Sequence, residues 1–220
     1  MPRPRTFARA AVVEAAKNAF WEKGYEGTPI SDLERGTGLN RSSLYLAFGG
    51  KRALFDEALD RYVADFIDPL IGTMEVVPAG LGEISAFFSR VRDVLIDDPS
   101  LAGRGCLMVN TIAELSRRDG GAADRAASFR DRLQRAFAHA LEGAAALGDV
   151  DGRTVQRRAS ILAAGTLGIW LSARIDPSHA AELCTAIRWE VGSWRRAAGT
   201  TGITAASIDR RDPSSPLSLA

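Results

Sequence analysis

Between residues 41 and 51 the chain gathers side chains suited to recognising a patterned polyanion: Arg41, Ser42, Ser43, Tyr45 and Lys51. Arginine pairs bidentately with guanine, serine donates or accepts without strong preference, and tyrosine and lysine suit phosphate oxygens. Such groups act together only if one rigid element presents them on one face. The neighbouring residues supply that element: Asn40 can cap a helix, and Leu44 with Phe48, one turn apart, can form its inner face. Arg41, Ser42, Ser43 and Tyr45 then point outward.

A second short helix is predicted just before it. Thr28 can cap with its hydroxyl, Pro29 suits the first helical position, and Ile30 and Leu33 give an apolar face. Gly36 and Gly38 bracket Thr37, and a glycine able to take positive φ past a helix end allows a sharp turn, with Leu39 buried in the elbow. Two short helices so joined, the second carrying Arg, Ser and Tyr outward, form a helix-turn-helix whose second helix enters the major groove. Thr28, at a helix amino-terminus, is a further candidate phosphate donor.

The runs GYEGT at 24–28, ISDL at 30–33, GLNRSSLY at 38–45, Phe48 and KRALF at 51–55 resemble the amino-terminal domain of the TetR family of bacterial transcriptional regulators, in unbroken register over about fifty residues. One departure is Glu34, where that family usually has a small residue between the two helices. The resemblance implies that Tyr45 and Lys51 contact phosphate and that the helix after Lys51 links two domains and moves on ligand binding. It also implies that the last two long helices pair with those of a second copy as a four-helix bundle.

Composition is that of an ordinary globular protein, with net charge +1, so a nucleic-acid footprint must be local. Residues 1–52 hold nine Lys/Arg against five acids, an excess where the reading helix lies. Cys106 and Cys184 are too few for a disulfide scaffold and fit a reducing cytoplasm. The basic start leads into an amphipathic helix, which argues against a secretory signal, and no stretch approaches the roughly 20 apolar residues of a membrane span. Gly50-Lys51 lacks the glycine spacing and the following Ser or Thr of a phosphate-binding loop, since Tyr45 and Arg52 stand there. His139 and His179 have no Cys or His at ligand spacing, so no metal site is expected, and no cofactor loop is visible.

The rest of the chain reads as all-α: a basic arm at 1–6, a supporting helix over 7–23, a linking helix over 52–72, a loop over 72–82, and further helices broken at 99–105, 119–121 and 148–152. This gives a three-helix DNA-binding domain at 1–52, a larger helical effector-binding and dimerisation domain at 53–198, and a disordered Thr/Ser/Ala/Pro-rich tail at 199–220. In the larger domain, Asn110 and Glu114, one turn apart among apolar neighbours, are candidate polar handles of an effector pocket. Its walls are drawn from Phe87, Phe88, Val91, Met108, Phe129, Leu133, Phe137 and Leu167. Cys106, two residues after Arg104, is a candidate for the same pocket or for a redox sensor. The last two helices are apolar on more than one side; Leu162, Ile169, Trp170, Leu183, Ile187, Val191 and Trp194 are the expected dimer contacts, which the resemblance would place in the bundle.

The expectation is a cytoplasmic homodimeric repressor, not an enzyme and without cofactor or membrane partner. It would bind a pseudo-palindromic duplex operator with half-sites about 34 Å apart and leave it when a small molecule binds. The alternatives are a regulator that senses oxidants or electrophiles through Cys106, and, from another class, an all-α small-molecule-binding protein or enzyme.

Overall fold

The structure, a computed structural model, describes residues 9–76, 78–115 and 119–195, so the expected arm at 1–6 and tail at 199–220 lie outside the described residues. Those described residues are helical and carry no strand. The first helix, α1 (Arg9–Lys23), buries Val12, Val13, Ala16, Phe20 and Trp21 along one face. It packs against α2 (Ile30–Thr37) and α4 (Lys51–Tyr62), with α3 (Arg41–Phe48) between those two in sequence. Phe20, Tyr25 and Phe55 meet with ring centroids 4.9 to 6.1 Å apart, which seats α1 on α4.

The expected linking helix is longer than 52–72 and is not uniform. Helix α4 passes into a π-helical segment, Val63–Ile67, and continues as α5 (Asp68–Glu75), running straight through Gly72. Pro69 supplies a reason: it has no N–H to donate, and its ring would press on the carbonyl of Asp65 in an ordinary α-turn. Widening the preceding turn, with the Asp68 N–H donating to the Val63 carbonyl, carries the helix past the proline.

The larger part comprises α6 (Leu81–Asp97), α7 (Pro99–Arg104), α8 (Leu107–Leu115), α9 (Gly120–Ala146), α10 (Val155–Ala173) and α11 (Pro177–Ser193). Sequence placed a break at 99–105, but Asp98 caps α7 there by accepting from the Leu101 N–H at 2.9 Å. Asp119 and Asp176 cap α9 and α11 in the same way, so two of the breaks are helix starts. One hydrophobic core runs unbroken from Phe20 and Leu44 through Leu59 and Phe88 to Val191. No helix among the described residues is long and apolar enough to cross a membrane.

Candidate nucleic-acid interface and effector cleft

The α2–α3 unit is built by short-range bonds. Gly38 takes φ 71° and its N–H donates to the Glu34 carbonyl at 2.9 Å, ending α2 in the left-handed turn that only glycine adopts cheaply. Asn40 caps α3 by accepting from the Ser43 N–H at 2.8 Å. Glu34, the residue that departs from the family pattern, has a role here: its carboxylate accepts the Arg41 N–H at 2.5 Å, tying α2 to the first turn of α3. Leu33, Leu44 and Phe48 are buried beneath the pair. Arg9 clips the unit from α1, donating to the Ala47 carbonyl at 2.8 Å and lying 4.3 Å over the Phe48 ring.

Arg41 and Ser42 are exposed, Ser43 is half-buried with its N–H held by Asn40, and Tyr45 is exposed with the Arg41 guanidinium 5.5 Å from its ring centre. Lys51 stands beside them, half-buried, with its ammonium 4.3 Å from the centre of the Tyr25 ring. Thr28 differs from the expectation. It is fully buried, and its hydroxyl donates to the Gly24 carbonyl at 2.6 Å, with the Ala19 carbonyl at 3.3 Å. The hydroxyl therefore neither caps α2, which starts at Ile30 behind Pro29, nor faces a phosphate. The carbonyl groups at the end of α1 outcompete it as partners, because a buried hydroxyl must find an acceptor.

The basic excess of the first 52 residues is also mostly spent internally. Lys17 is buried and pairs with Asp65 and Glu14, each at 2.9 Å; Lys23 and Arg35 share Asp32; Arg9 pairs with Glu57; Arg52 pairs with Asp56 and Asp119. The Lys23 hydrogen bond holds the Asp32 carboxyl below its usual range, against a smaller upward pull from burial. Among the described residues of that stretch, Arg41 and Lys51 are the cations with no carboxylate partner in an ion pair, and both flank α3.

Most of the expected effector walls pack on one another in the core. Phe87, Phe88 and Phe137 pack on one another with centroids 5.0 to 5.8 Å apart, and Val91 and Leu133 close the same buried core. Apolar periodicity locates what is buried, and most buried side chains face other side chains instead of space. Leu167 is half-buried against that core. Met108 and Phe129 do line a cleft, of about 460 Å³, together with Val63, Ala64 and Ile67 of the π segment. Its rim carries Asp124 and Ser128 and two ion pairs, Arg125 with Asp60 at 2.5 Å and Arg132 with Asp68 at 2.5 Å.

The polar handles have other partners. Asn110 donates to the Arg104 carbonyl at 2.8 Å and accepts from Arg174 at 3.1 Å. Glu114 accepts the N–H groups of Tyr25 and Glu26 at 3.0 and 2.7 Å, across the seam between α8 and the end of α1. Gly24, at φ 75°, makes that approach possible, since a methyl in place of its hydrogen would lie 2.6 Å from Glu114 Oε2. Trp21 crosses the same seam, its indole N–H donating to the Gly105 carbonyl at 2.8 Å. Cys106 is buried against Tyr62; burial pushes its thiol pKa up, and the Tyr62 hydrogen bond only partly opposes this.

On the last two helices, Leu162, Ile169, Trp170 and Val191 are buried within the protomer, and Leu183, Ile187 and Trp194 pack half-buried on its own core. The exposed large apolar side chains are different ones: Ile161 (59% exposed) and Leu171 (47%) on α10, Ile175 (89%) just past its end, and Trp189 (81%) on α11. The most regular apolar face of each helix serves the protomer, and the remainder is left outside. Residues without a place in the expected sites are therefore Ile175 in the turn after α10, Leu46 on α3, and the Lys17–Asp65 pair. Leu46 was findable by helical projection; Ile175 sits in a turn that projection does not reach, and the pair, 48 residues apart, leaves no sequence signal.

The pattern described as "Bacterial regulatory proteins, tetR family" matches residues 12–58, and "Tetracyclin repressor-like, C-terminal domain" matches 80–187. The chain is 31% identical over 158 residues to "Uncharacterized HTH-type transcriptional regulator YezE" of Bacillus subtilis, covering 69% of this chain and 77% of that one. It is 32% identical over 126 residues to the HTH-type transcriptional repressor ComR of Escherichia coli, a match that spans 56% of this chain and only 58% of ComR. Among solved structures, a cysteine mutant of the TetR family regulator CifR, complexed with 26 bp double-strand operator DNA, superposes with TM-score 0.73 at 25% identity, covering 87% of this chain and 100% of that one. A TetR regulator from Chloroflexus aurantiacus superposes with TM-score 0.76 at 24% identity, covering 86% and 96%. With its helix-turn-helix, its all-α carboxy-terminal part and these matches, the chain belongs to the TetR family of bacterial regulatory proteins, DNA-binding transcriptional regulators.

Proposed function

We propose that the chain is a homodimeric repressor that holds operator DNA with Arg41, Ser42, Ser43, Tyr45 and Lys51 and releases it when a small, largely apolar molecule enters the cleft beside Val63–Ile67. The observation that carries this reading is the two-sidedness of the π segment. Val63, Ala64 and Ile67 line the cleft, whereas Asp65 holds the buried Lys17 of α1 at 2.9 Å and Phe66 packs on Trp21 at 5.0 Å. A molecule that displaces the segment from the cleft side must disturb its hold on α1, and α1 carries the reading unit. A π turn is a poorly bonded stretch of helix and a suitable place for such a shift.

CifR, to which the chain is similar in fold, is complexed with operator DNA, and α3 here leaves Arg41, Ser42 and Tyr45 exposed for such a contact. The exposed Ile161, Leu171, Ile175 and Trp189 belong to the surface for a second copy, because large apolar groups left outside on two adjacent helices and the turn between them want a partner. The reading with a small molecule is preferred to one with Cys106, whose thiol is buried and held in its neutral form.

Fluorescence anisotropy with duplexes from the DNA flanking the gene tests it. Binding is expected to weaken steeply with salt, to be lost in Arg41→Ala and Tyr45→Ala, and to be reversed by compounds that no longer act on an Ala64→Trp variant whose cleft is filled. Wild-type binding by Arg41→Ala and Tyr45→Ala, with folding confirmed by circular dichroism, defeats the interface. Release that survives Ala64→Trp defeats the cleft. Sedimentation of Trp189→Asp is expected to show a monomer, and a dimer of undiminished strength would move the interface elsewhere.

A further inference from the structure

Leu46 is 91% exposed, the most exposed of the large apolar side chains on the described surface. Its position is not incidental. At about 100° per residue, the buried seam of α3 runs midway between Leu44 and Phe48, and Leu46 projects roughly 180° from it. It is thus the outward pole of the helix, with Ser42 one turn before it and with Arg41 and Tyr45 on one flank and Ser43 on the other. A helix laid in the major groove presents this pole to the base edges, while its flanks meet the phosphates. A leucine there has no hydrogen bond to offer. The apolar group that a base pair displays in the major groove is the C5-methyl of thymine.

We propose that Leu46 is a specificity residue, packing on the C5-methyl group of one thymine in each half-site beside the polar contact of Ser42. The proposal rests on the reading of α3 as the helix in the groove, and its test separates the two. The full chain selects its preferred duplex from random-sequence DNA, and each thymine of that duplex is then replaced singly by uracil, which removes the methyl and leaves the pairing intact.

For the wild type, uracil at one symmetry-related position is expected to weaken binding about fourfold per half-site, and about tenfold or more when both half-sites carry it. Leu46→Ala should bind the thymine and uracil duplexes alike, and Leu46→Met, which keeps an apolar side chain, should still discriminate. Discrimination that persists in Leu46→Ala, or a wild type indifferent to uracil at every position, overturns the proposal while leaving the groove reading intact. If no sequence is selected at all, the reading of α3 falls first and this proposal with it.

Discussion

In the α2–α3 unit the bonds that shape the surface are local: Asn40 with Ser43, Gly38 with Glu34, and Glu34 with Arg41 seven residues away. Around the cleft and the α1–α8 seam the ties are long: Lys17 to Asp65 across 48 residues, Arg132 to Asp68 across 64, and Glu114 to Tyr25 across 89. On the proposed reading, the first region makes function out of side chains that local folding leaves exposed. The second would make it out of space that distant helices fail to fill, and there the polar side chains are consumed in holding the helices apart or together. Asn110 and Glu114 show the difference. In a local reading both look like ligand contacts, yet each is occupied by a partner brought from another helix.

The contrast can be broken most decisively in the packed core beside the cleft. Phe88→Ala removes a fully buried ring stacked on Phe137 and should cost about 3–5 kcal/mol of stability by urea unfolding. A loss under about 1 kcal/mol would mean that this region is open after all and that the expected pocket walls were right. Next in size, Arg41→Ala should lose about 1–3 kcal/mol of operator affinity per half-site with no change in melting temperature. A melting shift in place of the affinity loss would make Arg41 a structural residue like Arg9.

A smaller effect is expected at the seam. Glu114→Ala leaves two partly exposed N–H groups to water and should cost on the order of 1 kcal/mol of stability. Hydrogen exchange at Tyr25 and Glu26 should quicken, and unchanged protection at those two amides would show that Glu114 does not tie α8 to α1. The smallest effect is expected at Cys106. Cys106→Ser should leave both DNA binding and the response to mild oxidants unchanged, because the thiol is buried and its pKa raised. A response to peroxide that disappears in the variant would transfer the signal from the cleft to the thiol.

What could be read in advance follows this division. Capping by Asn40, the glycine turn at Gly38 and the buried pair Leu44 and Phe48 depend on residues within a few positions of one another, so the reading unit and its outward Arg41, Ser42 and Tyr45 were visible in the chain. Even there one competition was decided elsewhere: the Thr28 hydroxyl had the carbonyl groups of Gly24 and Ala19 at hand and turned inward. Leu46 was visible too, but an exposed leucine carries no chemical signature until its direction relative to the buried seam is drawn.

The sequence by itself determined an all-α chain, the helix-turn-helix and the side chains it offers, because helix caps, glycine turns and apolar periodicity act over one or two turns. Only the tertiary structure decided which apolar side chains of α10 and α11 stay outside, that Phe87, Phe88 and Phe137 close into core, and that the π segment stands between the cleft and Lys17. Periodicity reports that a side chain is buried. Whether it is buried against another helix, a second copy or an empty cleft depends on how the helices cross, which residues far apart in the chain fix together.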